Sequence, residues 1–443
     1  MGRGQSSQPS NDPVSREVTR PWSPRGPDHP PRHSLCPMSR FFGSLPREVT
    51  VLTAVAFAVA VGFGVVAPAI PVFARDFGVG RTAAGAVISA FAFMRLVSAL
   101  ASGRLVNRVG ERVVLATGIG IVAVSSALAG LAQSYTQLLL LRGVGGVGSA
   151  MFTVSAISLL LRVVDADQRG RAMSMWQTGF LVGAICGPAI GGPLTDISLR
   201  APFFVYAATL AVAGTIGMVF LSHTSLHDRV DQSSPEDHTT LGAALRISGY
   251  RAALTASLGN GWALFGVRSS LIPLFVTEGI GASGTWTGIG LLVSAATQGG
   301  ALLLVGNFTD RVGRRPGMIA GATLGTLSLG ALAVHESLGV YVVSMAVFGV
   351  ASAFLTVAPS AAVGDVVSGR GGTVVAAFQM AADLGAVVGP LLAGWLSDSY
   401  SFSAAWGVTA GIMAAALVMA LLSTETQHRP SAASPEPAAG TTG

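Results

Sequence analysis

Twelve apolar segments of about 20 residues recur along the chain, and each is long enough to cross the roughly 30 Å hydrocarbon core of a bilayer as a helix. They fall near 49–73, 83–106, 113–133, 137–161, 172–195, 202–222, 252–277, 285–308, 316–335, 339–364, 373–397 and 402–423, taken here as spans 1 to 12. In hydrocarbon every backbone N–H and C=O must be satisfied within the segment, so this pattern predicts an all-α membrane protein. Composition points the same way. Half of the 443 residues (51%) are hydrophobic and 11% are charged, against about 25% charged in an ordinary soluble domain.

Arginine placement orients the spans. With the N-terminus inside, 21 arginines fall in the tails and in loops on that side, three (Arg75, Arg81, Arg200) on the other, and three within spans. Both termini are therefore expected in the cytoplasm, with the chain in a bacterial cytoplasmic membrane. Residues 1–47 and 425–443, rich in Pro and small residues, are expected to be disordered tails. Residues 48–222 and 252–424 form two six-helix bundles, joined by a cytoplasmic linker at 223–251. The first 47 residues lack the apolar run of a signal peptide, and Met38 is an alternative start to Met1.

Other classes are disfavoured. All 27 basic residues are Arg, which fits poorly with a Lys/Arg patch for nucleic acid. No Walker lysine is possible, and the His residues show no metal-ligand spacing. Cys36 and Cys186 suggest neither disulfide nor metal site. Gly143 to Gly148 fits G-x-G-x-x-G but lies inside a membrane span, where a dinucleotide site has no strand before it. No enzyme activity and no cofactor are expected; the partners are a small-molecule substrate and lipid, and the protein is expected to be a monomer.

The two halves repeat. Phe63-Gly64-Val65 and Ile70-Pro71 recur 202 residues on as Phe265-Gly266-Val267 and Ile272-Pro273. Gly103, Arg108, Val109, Gly110 and Arg112 recur 203 on as Gly306, Arg311, Val312, Gly313 and Arg315. Gln177, Gly183, Gly187, Pro188, Gly192, Leu194 and Asp196 recur 202 on as Gln379, Gly385, Gly389, Pro390, Gly394, Leu396 and Asp398. Three ordered matches argue for a duplication and a pseudo-two-fold axis along the membrane normal, a mark of transporter folds.

Over roughly 48–424 the chain resembles the major facilitator superfamily. The loops Gly103 to Arg112 and Gly306 to Arg315 are similar to its G-x-L-x-D-R-x-G-R-[RK] motif. Arg142 with Gly146 is similar to its R-x-x-x-G pattern in span 4. Gly183, Gly187, Pro188, Gly191 and Gly192 look like G-x-x-x-G-P-x-x-G-G, the motif associated with proton-coupled antiport; the longer form has a Gly where this chain has Ser174. The resemblance implies spans 1, 4, 7 and 10 around a cavity, spans 2, 5, 8 and 11 at the contact between halves, and spans 3, 6, 9 and 12 outermost. It also implies a cytoplasmic latch, made by the loop carboxylates. In the first loop the family Asp is Asn107 and an expected Arg is Glu111, so Asp310, with Arg311, Arg314 and Arg315 around it, is expected to be the principal latch. The alternative is that the loop charges serve topology alone.

Charged side chains in mid-membrane are costly and mark function. Four stand clear of the span ends: Arg95, Arg142, Arg268 and Asp383. Asp383 lies roughly 15 Å deep at about 1.5 Å per residue. A carboxylate there can bind a proton to shed its charge, which makes Asp383 the candidate coupling residue, with Arg142 as relay partner or substrate contact. The alternative is a permanent Asp–Arg pair that locks the fold. Arg95, Arg268, Phe91, Phe93, Trp176, Gln177, Trp262, Phe265, Gln379 and Met380 are candidate cavity residues. The expected function is proton-driven efflux of small hydrophobic or drug-like compounds by alternating access. The alternative is uptake or exchange of an anionic metabolite, for which three membrane arginines against one aspartate would be suited.

Overall fold

The computed structural model describes residues 1–2, 46–164, 168–220, 240–366 and 372–427. Most of the expected tails, most of the linker and Cys36 therefore lie outside the described residues; of the tails, residues 1–2, 46–47 and 425–427 are described. Spans 1 to 6 are Arg47–Asp76, Arg81–Val109, Glu111–Gly130, Tyr135–Val163, Arg169–Ile197 and Ala201–Phe220. After a short helix at Leu241–Arg246 comes span 7, residues 248–279. Spans 8 to 12 are Gly284–Val312, Arg314–Val334, Leu338–Val366, Gly372–Ser399 and Phe402–Leu422.

Among the described residues, eleven helices are continuous, long and apolar enough to cross a membrane. Span 7 is the twelfth, interrupted rather than missing. Its α-helical stretches Ser248–Asn260 and Arg268–Leu274 alternate with wide π-helical turns at Gly261–Val267 and Phe275–Gly279. Pro273 has no N–H to donate, so the regular ladder cannot continue through it. Gly261 faces the span 11 backbone at Ala382, and Gly266 the ring of Pro390, so closely that a Cβ would not fit. Span 1 is also interrupted, but by a two-residue turn at Ala67-Pro68 between two α-helical stretches.

The charged motifs differ from the expected loops. Spans 2 and 8 run through Arg108 and Arg311, and a single residue, Gly110 or Gly313, turns the chain into the next helix. These glycines have φ of +88° and +135°, a region open to Gly at little cost. Polar side chains on the last helical turn read as a loop in sequence, yet at the bilayer surface a helix carries them without penalty.

Spans 3, 6, 9 and 12 expose apolar side chains such as Val124, Val212, Leu327 and Val418, and spans 2 and 8 do the same at Leu100 and Leu303. Spans 2 and 11 pack antiparallel, as do spans 5 and 8, and these two seams join the halves. One end of the molecule carries Gly110 and Gly313, and is called the motif end below.

Candidate transport site

The seam between spans 2 and 11 is held by polar groups at successive depths. Nearest the end opposite the motifs, the Asp398 carboxylate accepts from the backbone at Arg81 and Thr82. Deeper, the Ser89 hydroxyl donates to the Val387 carbonyl at 2.7 Å. Deeper still, the Arg95 guanidinium donates to Asp383 Oδ1 at 2.7 Å. Arg95 is the fifteenth of 29 residues in span 2, and Asp383 the twelfth of 28 in span 11, so the ion pair sits near mid-membrane. It is not sealed: the two side chains keep 37% and 27% of their exposure.

The other membrane arginines have no such partner. Arg142 is 2% exposed, and its guanidinium carbon lies 4.5 Å from the centre of the Phe91 ring. That cation–π contact is what faces it; its Nε is buried without an acceptor. Arg268, between the two wide turns of span 7, donates a long 3.3 Å hydrogen bond to Ser294 Oγ, and its Nε is likewise unpartnered. Among the described residues neither arginine has a carboxylate partner. Asp383 thus meets Arg95, expected as a cavity residue, and not Arg142, expected as its relay partner. Phe91 and Arg95 are one turn apart on span 2, so the Arg142 cage and the ion pair share one helix face.

The predicted cavity residues divide. Gln177, Gln379, Phe93, Phe265 and Met380 are exposed. Trp176 and Trp262 are corrections: they are 2% and 4% exposed and lie in the packed bundles. Trp176 packs edge-on against Phe180 at 4.9 Å, and the Trp262 indole N–H donates to Thr409 Oγ1. Neighbouring residues on a helix point about 100° apart, so Gln177 can be open where Trp176 is not.

The glycine motif of span 5 lets it lie against span 1. A Cβ at Gly183 would stand 2.6 Å from the Phe57 carbonyl oxygen, and at Gly187 2.6 Å from Gly64 Cα; Gly191 is equally close to Val65. Gly192 instead faces across the seam, 2.7 Å from Gly288 Cα of span 8 by the same measure. Pro188 sits inside the helix, its carbonyl against Gly288.

At the motif end the two copies carry opposite polarity. In the second, Arg314 binds Asp310 at 2.7 Å and Asp365 at 3.0 Å. Glu425 accepts from the Arg314 and Arg315 backbone N–H groups, and the Arg315 side chain donates to Leu421 and Ala420 carbonyls. In the first, Glu111 binds Arg162 at 2.9 Å. Positions 111 and 162 correspond to 314 and 365, each 203 residues on, with the charges exchanged. The equivalent Asp310 and Arg314 meet at 2.7 Å across the Gly313 turn, so an Asp at 107 would face Glu111 with a like charge. The two departures from the family motif, Asn107 and Glu111, are therefore one compensated change. Arg162 carries the signal in sequence: it lies 51 residues after Glu111, as Asp365 lies 51 after Arg314. Gly103, Asn107, Arg108, Gly306 and Arg311 make no hydrogen bond or ion pair across the seam among the described residues, and Arg112 is buried at its Nε.

The sequence profile of the Major Facilitator Superfamily matches residues 52–296 and again 265–442. The chain belongs to the Major Facilitator Superfamily. It is a multi-pass membrane transporter of that superfamily, not an enzyme, and its partners are a small-molecule substrate and the lipid bilayer. Multidrug resistance protein 1 of Bacillus subtilis (strain 168) is 25% identical over 369 residues, 79% of this chain and 90% of that protein. Quinolone resistance protein NorA of Staphylococcus aureus (strain MRSA252) is 27% identical over 177 residues, 40% of this chain and 45% of NorA. Among solved structures, a POT family transporter in complex with 5-aminolevulinic acid superposes with a TM-score of 0.71 at 11% identity, covering 86% of this chain and 96% of that one. A bacterial homologue of the human lysosomal transporter Spinster gives 0.68 at 16% identity, covering 84% and 95%. These structural likenesses concern the superfamily fold, with two six-helix halves.

Proposed function

We propose that this protein is a proton-coupled exporter of small hydrophobic or drug-like compounds that works by alternating access. The observation that carries the proposal is the Arg95–Asp383 pair, which ties one half to the other at mid-membrane and retains exposure. With Asp383 ionised, the pair holds spans 2 and 11 together. A proton on Asp383 removes the charge that Arg95 binds, and loosens the seam at the level where the two halves pivot. Among the described residues, every hydrogen bond and ion pair joining the halves lies between this level and the end opposite the motifs. That distribution supports a conformation open toward the motif end. By the arginine bias, the motif end faces the cytoplasm of a bacterial cell, with both termini inside, and the transporter works as a monomer. Phe93, Phe265 and Met380 offer apolar surface for a hydrophobic solute, and the names of the relatives, a multidrug and a quinolone resistance protein, support that substrate class.

The test is retention of a panel of cationic, neutral and anionic fluorescent dyes in cells with and without expression, with and without a protonophore. Lower retention on expression, reversed by the protonophore, is expected; a protonophore-insensitive difference would overturn the coupling. Single cysteines at Arg108 and Arg311, in a background lacking Cys36 and Cys186, should react with impermeant reagents only from inside. A second reading is transport of an anionic solute. It is favoured by Arg142, which is buried, and Arg268, which is half-buried with its Nε enclosed, neither of which has a carboxylate partner among the described residues, and the anionic dyes in the panel separate the two.

A further inference from the structure

Spans 2 and 8 begin without a cap of their own. The residues before them, Gly80 and Ser283, are extended and offer no side-chain hydrogen bond to the helix. A helix start leaves four backbone N–H groups unsatisfied and carries about half a positive charge. Here the missing acceptor comes from the other half of the protein. Asp398, at the end of span 11, accepts from Arg81 N (2.8 Å), Thr82 N (2.7 Å) and Thr82 Oγ1 (2.7 Å) at the start of span 2. Asp196, at the end of span 5, accepts from Gly284 N (2.7 Å), Thr285 N (2.9 Å) and Thr285 Oγ1 (2.6 Å) at the start of span 8.

The two arrangements are copies. Asp196 and Asp398 are 202 residues apart, and Thr82 and Thr285 are 203 apart. One turn before each aspartate a glycine brings the backbones together: a Cβ at Gly192 would lie 2.7 Å from Gly288 Cα, and at Gly394 2.7 Å from Thr82 Cα. Glycine and aspartate four residues apart share a helix face. The pattern Gly-x-x-x-Asp at the end of spans 5 and 11 is thus a contact device: the glycine sets the distance and the carboxylate closes it.

We propose that Asp196 and Asp398 form a two-point latch that holds this end of the transporter shut and must release each time it opens there. Charge-assisted bonds of this kind are stronger than neutral ones. Both aspartates are nonetheless exposed, so water can take over the donors and the carboxylates as the halves part. The latch is therefore firm when closed and reversible when opened, unlike a buried pair. Glu278 of span 7, which binds Arg75 at 2.7 Å and Arg81 at 2.9 Å, braces one side of it only. Because all six cap bonds join one half to the other, no rocking of the halves can open this end and keep them.

The inference rests on the alternating-access reading but not on proton coupling or substrate. Its test is a reporter cysteine at Ser89, which is 4% exposed and lies on the seam beneath the Asp398 cap. In full-length protein lacking Cys36 and Cys186, labelling by an impermeant thiol reagent added outside intact cells reads how often that end opens. The double variant Asp196→Ala with Asp398→Ala should label faster by about tenfold or more, as expected for loss of at least ~1.4 kcal/mol of closing preference. Asp196→Asn with Asp398→Asn, which keeps an acceptor without the charge, should fall between. An unchanged rate in the alanine double variant would overturn the latch. Should that variant fail to reach the membrane, Thr82→Ala with Thr285→Ala removes only the hydroxyl donors, and no acceleration there would overturn the latch equally. Faster labelling in a protein whose transport ignores a protonophore would keep the latch and sink the coupling.

Discussion

The two seams between the halves are built on one plan and differ at one level. Both close one end with an aspartate cap in trans and a glycine contact a turn below it. At mid-depth the seam of spans 2 and 11 carries Arg95 and Asp383. The equivalent positions in the seam of spans 5 and 8, by the repeat offsets of 203 and 202, are Gln298 and Leu181. A duplicated fold keeps in both copies what both need, here a way to close one end. Where the symmetry breaks, a property is needed only once. A charge at mid-membrane is expensive, so under the proposed proton coupling a single charged seam suffices.

The largest effect should come from neutralising the charged seam. Asp383→Asn should reduce proton-driven transport to background and flatten its pH dependence, while the protein still reaches the membrane and binds substrate; transport assays at several external pH values, with a binding assay alongside, check this. Full pH-dependent transport in that variant would place the proton site elsewhere. Next, the exchange Arg95→Asp with Asp383→Arg separates the two roles of the pair. If the pair only locks the fold, the exchange should restore both expression and transport. A coupling role predicts restored expression with transport still about tenfold or more down, because the carboxylate has moved to span 2.

Arg142→Ala should weaken coupling less completely than Asp383→Asn, since Arg142 touches the charged seam only through Phe91; transport and its protonophore sensitivity report this. Smaller again, Asp310→Asn should impair transport more than Asn107→Ala at equal expression. Asp310 is held by Arg314, whereas Asn107 lost its charge together with the Glu111 exchange. Smallest of all, Leu181→Met and Gln298→Met in the uncharged seam should change transport by less than about threefold, within the ~0.7 kcal/mol such a ratio represents. A loss there comparable to that of Asp383→Asn would erase the contrast between the seams.

Much of this molecule is legible in the chain. The twelve spans and the four intramembrane charges follow from the cost of placing each residue type in hydrocarbon, which acts locally and does not wait for packing, and the repeat is legible as ordered residue matches. Even span 7 is visible as an apolar segment, although its wide turns depend on how closely Gly261 and Gly266 meet span 11. The two motif copies differ visibly in sequence at Asn107 and Glu111, but the partner of Glu111, Arg162, lies on another helix. What only the tertiary structure decided is which groups meet. Asp383 lies 288 residues from Arg95; counting along the helices puts both near mid-span and Arg142 nearer an end, but which helices face each other is not written in the chain. Trp176 and Gln177 are neighbours in sequence, yet one is buried and the other open. Asp196 and Asp398 stood out in sequence only as matched members of the repeat, and became caps once the starts of spans 8 and 2 were brought against them. Hydropathy assigns a helix its depth in the membrane; its rotation, register and partner are set by contacts with helices far away in the chain.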